Sequence, residues 1–477
     1  MASKTTPPRR VIPVAAAETI EPELYAKREQ VYPREVHGLF ARWRLIMVVL
    51  TLGIYYALPW INWSEGRQAF LIDLPGRKFN LFFWTFWPQD LFYLTAILII
   101  SALSLFLFTA VAGRLWCGYT CPQTVWTEAF LWIERRIEGD RPQQMRLAAS
   151  SWNAEKIFKK GVKHFVWIVF AAWTGFTFVG YFTPIRELAS AVPAFALGPW
   201  ETFWVLFYAF ATYGNAGFLR EQVCIYMCPY ARFQSVMFDR DTLVISYDGA
   251  RGEPRGARRR TEDYKAKGLG DCIDCTLCVQ VCPTGIDIRN GLQYQCIACG
   301  ACIDVCDTVM EKMSYPKGLI RYTTQDELDS GRPRRIFRPR VLIYGAILGA
   351  LMAALIVAVL LRVPLQLDVI RDRNSLYRET PEGLIENVYT LKILNMDARA
   401  HRFALRAEGI EDLRLVRDGA DVAAGPGEVL EVPVRLQVEE DELEHRSSRV
   451  RFILQAEDDS QLSVREEARF LGPARER

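Results

Sequence analysis

The chain has 477 residues, a formal charge of +3 and a mean hydropathy of +0.04. That length admits two to four folding units, and the near-neutral average conceals segments of very different character. All twelve cysteines fall in four short motifs, so none is left for a structural disulfide and an oxidised secreted scaffold is excluded.

Residues 1–44 are polar, basic and proline-containing, without the apolar core of a cleaved signal peptide. They read as a cytoplasmic tail. Five charge-free stretches follow: Leu45 to Trp63, Leu91 to Ala112, Phe165 to Ile185, Thr202 to Leu219 and Val341 to Leu361. Each approaches the length that crosses a hydrocarbon layer of roughly 30 Å, although Thr202 to Leu219 is short and carries Gly214 and Asn215. Lysine and arginine number eight in the tail, three in Ile61 to Asp90, nine in Gly113 to His164 and one in Arg186 to Glu201. Because positive loops stay inside, the tail and the second connection are cytoplasmic, as is 220–340, and everything after Leu361 lies outside. The aromatic run Phe79, Phe82, Phe83, Trp84, Phe86 and Trp87 suits an outer interfacial belt or an ordinary packed loop.

Two C-x3-C-P motifs, Cys117 to Pro122 and Cys224 to Pro229, each end a span that runs from outside to inside. The first two spans therefore resemble the third and fourth, a weak internal repeat that brings four thiols toward one site. Proline is favoured at the first position of a helix, and helices over Gln123 to Arg136 and Tyr230 to Phe238 place Cys121 and Cys228 at helix N-termini. There the dipole favours thiolate, which binds soft metals, Cu(I) above all, or cycles between dithiol and disulfide. The alternative is buried small residues that merely pack.

The linker Gly249 to Lys267 holds Arg251, Arg255, Arg258, Arg259, Arg260, Lys265 and Lys267 among glycines and a proline. It reads as a solvated tether, with anionic lipid as the other candidate contact. Next comes Cys272-x2-Cys275-x2-Cys278-x3-Cys282-Pro283, then Cys296-x2-Cys299-x2-Cys302-x3-Cys306. Three closely spaced thiolates wrap one iron-sulfur cube while the fourth reaches across to the other. Cys272, Cys275, Cys278 and Cys306 thus hold one [4Fe-4S] cluster, and Cys296, Cys299, Cys302 and Cys282 the second, in a ferredoxin-like domain over about 268–315. Structural zinc uses separated cysteine pairs, and cysteines this close rarely meet disulfide geometry, so both fit poorly. The second run departs from the pattern in having Asp307 where proline is usual.

After the fifth span (341–361), residues 362–477 change to period two: Tyr389, Leu391 and Ile393; Val432, Val434, Leu436 and Val438; Val450, Phe452 and Leu454. With turns such as Gly425-Pro426-Gly427, this predicts an immunoglobulin-like β-sandwich that lacks a cysteine pair and serves in docking or stabilisation. The four histidines are His37, His164, His401 and His445; none pairs with another inside a span, which argues against haem. His37 and His164 read as solvated, His401 and His445 as surface residues. The fold class is therefore multi-domain: an α-helical membrane bundle of five transmembrane helices (45–219 and 341–361), an inserted cytoplasmic segment (220–340) and the β-sandwich.

Trp116-Cys117-Gly-Tyr-Thr-Cys121-Pro122, Cys224-Ile-Tyr-Met-Cys228-Pro229, Cys282-Pro283-Thr-Gly-Ile-Asp-Ile-Arg289 and Tyr315-Pro-Lys-Gly-Leu-Ile-Arg321-Tyr322, with five spans and an outer sandwich, together resemble the cytochrome c oxidase accessory family called CcoG, FixG or RdxA. The resemblance implies a bacterial inner-membrane protein that supports assembly of a cbb-type oxidase and reduces Cu(II) to Cu(I). It also implies a copper-transporting P-type ATPase and oxidase maturation proteins as partners, with an unidentified cytosolic electron donor and no nucleic acid. In this reading copper is the substrate at Cys117, Cys121, Cys224 and Cys228. A quinol dehydrogenase-type subunit and a non-catalytic assembly scaffold are the two other readings.

Overall fold

The computed structural model describes residues 30–63, 67–82, 84–397, 399–417, 422–443 and 445–473. Most of the basic tail, residues 1–29, and Phe83 of the aromatic run lie outside the described residues. The helices that position the site are α1 (Leu39–Ala57), α2 (Leu91–Ala112), α3 (Pro122–Glu138), α4 (Ala154–Val179), α5 (Pro199–Thr212), α6 (Pro229–Met237), α7 (Ala301–Met313) and α8 (Pro339–Leu360).

Among the described residues, four helical stretches are long and apolar enough to cross a membrane: Leu39–Trp60, Pro88–Ala112, Ala154–Val179 and Pro339–Leu360. The stretch from Thr202 to Leu219 differs from the expected continuous span. There α5 stops at Thr212 and the chain continues as a π-helix, Tyr213–Leu219. Gly214 and Asn215 weaken an α-helix, and a π turn leaves carbonyls that need other partners. The Asn215 carbonyl has two, accepting from the Arg220 N–H at 2.7 Å and the Gln123 amide at 2.9 Å. α4 approaches α5 closely at Gly175, where a Cβ would collide with the Val205 carbonyl. α8 packs on α2, and the Tyr93 hydroxyl donates to the Ala358 carbonyl at 3.0 Å.

Between α1 and α2 lies a three-stranded antiparallel sheet that periodicity did not predict: β1 (Phe70–Asp73), β2 (Lys78–Leu81) and β3 (Trp84–Phe86). The aromatic run is mostly strand, with Phe79 edge to face on Phe70 at 5.4 Å and Trp87 buried. The sheet also meets the C-terminal domain: Lys78 Nζ donates to the Gly427 carbonyl at 3.1 Å. Arg362, just beyond α8, pairs with Asp90 at 2.6 Å.

The inserted segment is closed by β4 (Val244–Tyr247) pairing antiparallel with β5 (Ile320–Thr323), Ile245 opposite Tyr322. Ile245, Ile288, Ala298, Ile303 and Ile320 form its small core. Asp304 of α7 accepts from the Phe40 and Ala41 N–H groups at 3.2 and 2.7 Å. It caps α1 in place of Gly38, which has no side chain to do so. The linker is not the solvated tether expected of its composition. Arg251 pairs with Asp271 at 2.6 Å. Arg258 donates to the Gly270 carbonyl at 2.7 Å and lies over the rings of Tyr264 and Tyr315 at 4.5 and 5.3 Å.

After α8 the strands are β6 (Leu365–Arg371), β7 (Arg378–Glu379), β8 (Leu384–Asn395), β9 (His401–Glu408), β10 (Arg414–Arg417), β11 (Val422–Ala424), β12 (Val429–Glu439), β13 (Ser447–Ala456) and β14 (Ser463–Leu471). One sheet runs β10-β12-β8-β6 with β7 on β8, the other β11-β9-β13-β14. Alternate residues of both sheets, including Tyr389, Leu391, Leu436, Phe452 and Phe470, bury one shared core, each large side chain contributing about 1.5–3 kcal/mol. Asn387 of β8 ties the sheets together, donating to the Leu471 carbonyl of β14 at 2.7 Å and accepting its N–H at 3.0 Å.

Candidate metal centres

The two cysteine runs of the insert share a backbone pattern. In each, the residues flanking the middle cysteine have positive φ: Asp274 and Thr276 around Cys275, Ala298 and Gly300 around Cys299. Left-handed residues next to ordinary ones curl the chain into a concavity lined by N–H groups, a shape that suits an anion. Three of the four positions are not glycine, and the strain of about 1–3 kcal/mol each marks a functional loop.

Two cavities result. One is lined by Cys272, Cys275, Cys278 and Cys306, the other by Cys282, Cys296, Cys299 and Cys302 together with Cys278. Each set draws a cysteine from the opposite run, and Cys278 lies between them. Burial pushes the thiols up: Cys278 to about 11, Cys296 and Cys306 to about 12. Among the described residues no three acidic, cysteine or histidine side chains converge on a single ion; these thiols surround cavities, not points. Eight soft donors around two apolar cavities with inward-curled loops fit iron-sulfur clusters.

The second pair of motifs repeats a backbone device. The chain leaves α2 through Gly113 (φ 56, ψ −124) and leaves the π-helix through Arg220 (φ 43, ψ −110). Each left-handed residue stands four positions before the first cysteine of its motif. Cys121 and Cys228 are the N-cap residues of α3 and α6, each with proline at the first helical position. All six pairs among Cys117, Cys121, Cys224 and Cys228 are within electrostatic range of one another. The thiolate expected at Cys121 is corrected by the structure. Burial pushes Cys117 up to about 11 and Cys224 up to about 12, and it raises Cys121 against the pull of the Thr124 and Gln123 N–H groups. Desolvation dominates at Cys117, Cys121 and Cys224, and at Cys121 it outweighs the helix end; a metal that binds these three thiols displaces their protons.

The halves are cross-linked in both directions. Arg114, buried before Cys117, donates to the Ala231 carbonyl of α6, just past Cys228. Arg220, buried before Cys224, pairs at 2.8 Å with Glu134 of α3, past Cys121. Glu134 also holds Lys163 of α4 at 3.1 Å. Gln234 of α6 is fully buried and accepts from the Cys117 thiol at 3.3 Å.

The first motif also touches the cysteine loops. A Cβ on Gly118 would lie 2.7 Å from the Ile297 oxygen and 2.9 Å from the Cys299 Cα, so glycine is what allows the contact. The Tyr119 hydroxyl donates to the Cys299 carbonyl at 3.3 Å. Arg114 bonds the Tyr294 carbonyl and reaches the Cys296 carbonyl at 3.5 Å. Arg114 and Gln234 were not among the predicted site residues. A lone arginine at the end of an apolar span ordinarily marks the interface, and nothing near Gln234 in sequence signals its neighbour.

The histidines stand apart from these thiols. His37 and His445 are exposed. His164 is packed, not solvated: it bonds the Tyr213 hydroxyl at 3.0 Å and stacks on Phe218. His401 is buried, not superficial, held by Asp458 and Asp397 at 2.9 Å each. Burial opposes charge on its ring, and the two carboxylates outweigh burial to raise its pKa.

The chain is 43% identical over 427 residues to Protein RdxA of Cereibacter sphaeroides, covering 86% of this chain and 87% of that one. It belongs to the FixG/RdxA family. The Nitrogen fixation protein FixG of Rhizobium meliloti is 36% identical over 429 residues, 83% of this chain and 82% of the relative. Residues 355–473 match the IG-like fold at the C-terminal of FixG, 219–325 a 4Fe-4S dicluster domain and 94–139 a 4Fe-4S binding domain. A crystal structure of a FixG-related protein from Vibrio parahaemolyticus corresponds to 23% of this chain and 95% of that chain, at 32% identity and a TM-score of 0.21. This FixG/RdxA-family chain is thus an iron-sulfur electron-transfer protein with apolar helices long enough to cross a membrane.

Proposed function

We propose that the protein reduces Cu(II) to Cu(I) at Cys117, Cys121, Cys224 and Cys228, in support of cbb-type oxidase assembly. The carrying observation is that the first motif touches the Cys296–Cys299 loop through Gly118, Tyr119 and Arg114, while all four thiols are within electrostatic range of one another. Cys272, Cys275, Cys278 and Cys306 would hold one [4Fe-4S] cluster, and Cys282, Cys296, Cys299 and Cys302 the other. Such clusters, when bound, supply one-electron exchange.

The remaining chemistry belongs to the chain. Copper displaces thiol protons as it binds, and soft thiolates stabilise Cu(I) over Cu(II). That preference favours the reduced product. Arg114 offsets the negative charge that accumulates as the thiols ionise, and Gln234 fixes the orientation of Cys117.

The same reading places five spans in a bacterial inner membrane, with the insert in the cytoplasm and the immunoglobulin-like sandwich in the periplasm. The lysine and arginine distribution supports that orientation. A copper-transporting P-type ATPase and oxidase maturation proteins are the partners we infer from the family resemblance. The test uses anaerobically purified, iron-replete protein reduced in advance and mixed with Cu(II). We expect stoichiometric Cu(I), and serine at all four positions should lower the rate at least tenfold with iron content unchanged. An unaltered rate in that variant would overturn the assignment.

A further inference from the structure

We propose that the surface around Cys275 is the docking face for a small acidic protein that carries one electron. The proposal rests on the electron-transfer reading above and identifies the class of partner that reading requires. Of the eight cysteines in the two runs from Cys272 to Cys306, Cys275 is the exposed one. The loop around Cys299 is closed off instead. Gly118 meets it on one side, and a Cβ on Gly300 would lie 2.7 Å from Phe40 of α1 on another. The helices therefore cover one end of the paired cavities, and solvent reaches the other.

The basic linker lies on the open end. Arg258 donates to the carbonyl of Cys272 at 3.3 Å, and Arg251 holds Asp271, the residue before it, at 2.6 Å. These two arginines pin the linker to the loop that carries Cys275 and leave the rest of its charge facing outward. Arg255, Arg259, Arg260, Lys265 and Lys267 are exposed. Arg259, Arg260 and Lys265 form no ion pair within 4.0 Å among the described residues.

The segment from Gly249 to Lys267 holds seven lysines and arginines against three acidic residues, in a chain whose whole formal charge is +3. Arg251, Arg255 and Lys267 pair with Asp271, Glu253 and Glu262; the exposed Arg259, Arg260 and Lys265 remain, and their field attracts an acidic surface and speeds its association. An anionic membrane would meet the opposite end, where the insert rests on α1 and Gly118. In the exchange the carrier loses one electron and the group held by Cys272, Cys275, Cys278 and Cys306 gains it, with no proton transferred.

The experiment uses the full chain in nanodiscs of neutral lipid and an acidic [2Fe-2S] ferredoxin as probe. Surface plasmon resonance should show affinity falling at least tenfold between about 50 mM and about 500 mM salt, as screening of exposed charge requires. R259E/R260E/K265E should weaken low-salt binding at least tenfold while iron content and thermal midpoint stay at wild-type values. In stopped flow, the reduced ferredoxin should bleach the variant's clusters correspondingly more slowly, and a reduced viologen dye should bleach variant and wild type without loss of rate. Binding indifferent to salt and to charge reversal overturns the proposal. So does a variant whose only defect appears in discs of acidic lipid, which would make the patch a lipid surface. Failure of pre-reduced protein to convert Cu(II) would strike the copper reading and leave this binding result intact.

Discussion

The two C-x3-C-P motifs have almost the same backbone and very different neighbours. Both follow a left-handed residue, both end in an N-cap cysteine with proline behind it, and each is tied to the other half by a buried arginine. Between the cysteines the likeness stops. Gly118 is buried and Tyr119 half-buried against the Cys299 loop, whereas Tyr226 and Met227 are 67% and 59% exposed. The repeat supplies four equivalent thiols, and the intervening residues decide which half faces the electron source.

The largest effect should come from breaking what the halves share. Glu134 is fully buried and is the carboxylate that holds both Arg220 and Lys163. Glu134→Ala leaves the buried Arg220 without its carboxylate, while Lys163 keeps Glu138 at 2.8 Å, and removing one partner from a buried pair costs about 3–5 kcal/mol. In detergent the variant should lose its sharp thermal transition, and Cys224 should react faster with a thiol reagent, because Arg220 sets the turn before it. A wild-type melt would show that the cross-link does not hold the halves together.

A smaller effect should separate the motifs. Helix propensity favours alanine over glycine by about 1 kcal/mol, so Gly118→Ala would stabilise the protein if Gly118 were an ordinary helical residue. The Cβ would instead meet the backbone of Ile297 and Cys299 at 2.7 and 2.9 Å, and overpacking of this kind costs about 1–3 kcal/mol. The expected outcome is a lower thermal midpoint with reduced iron content. At the matching position of the second motif, Ile225→Val should leave iron content unchanged. Equal behaviour of the two would remove the asymmetry.

What was legible in the sequence follows the range of the interactions. The cysteine runs are local, each loop needing only its own spacing and turn, so their cavities appear where the spacing put them. The period-two runs of the C-terminal domain were legible for the same reason, since each strand records which of its faces is buried. β1 to β3 were not, because strands of three or four residues are too short to show a period. Arg114 and Gln234 join partners more than one hundred residues away, and no local pattern encodes that. The acidity of Cys121 was misjudged because the helix end is visible in sequence and burial is not. The linker misled in a similar way: its glycines and arginines look solvated until Arg258 is seen packed against the paired rings of Tyr264 and Tyr315.

The finest test of the asymmetry compares two tyrosines at the same place in the repeat. Tyr119 donates its hydroxyl hydrogen to the Cys299 carbonyl, next to a second hydroxyl at Tyr322, 3.4 Å away. Tyr226 is 67% exposed. Tyr119→Phe removes one hydrogen bond and leaves the carbonyl short of a donor, a loss of about 0.5–1.5 kcal/mol; Tyr226→Phe should cost nothing measurable. The more telling readout is a potential. Hydrogen bonding around a cluster is one of the factors that set it, and Tyr119 acts on the backbone of one cluster loop only. One of the two reduction midpoints should therefore move in Tyr119→Phe while the other stays, and neither should move in Tyr226→Phe. If both midpoints hold in Tyr119→Phe, the contact between the first motif and the cysteine loop is packing alone, and the two motifs are electrically alike.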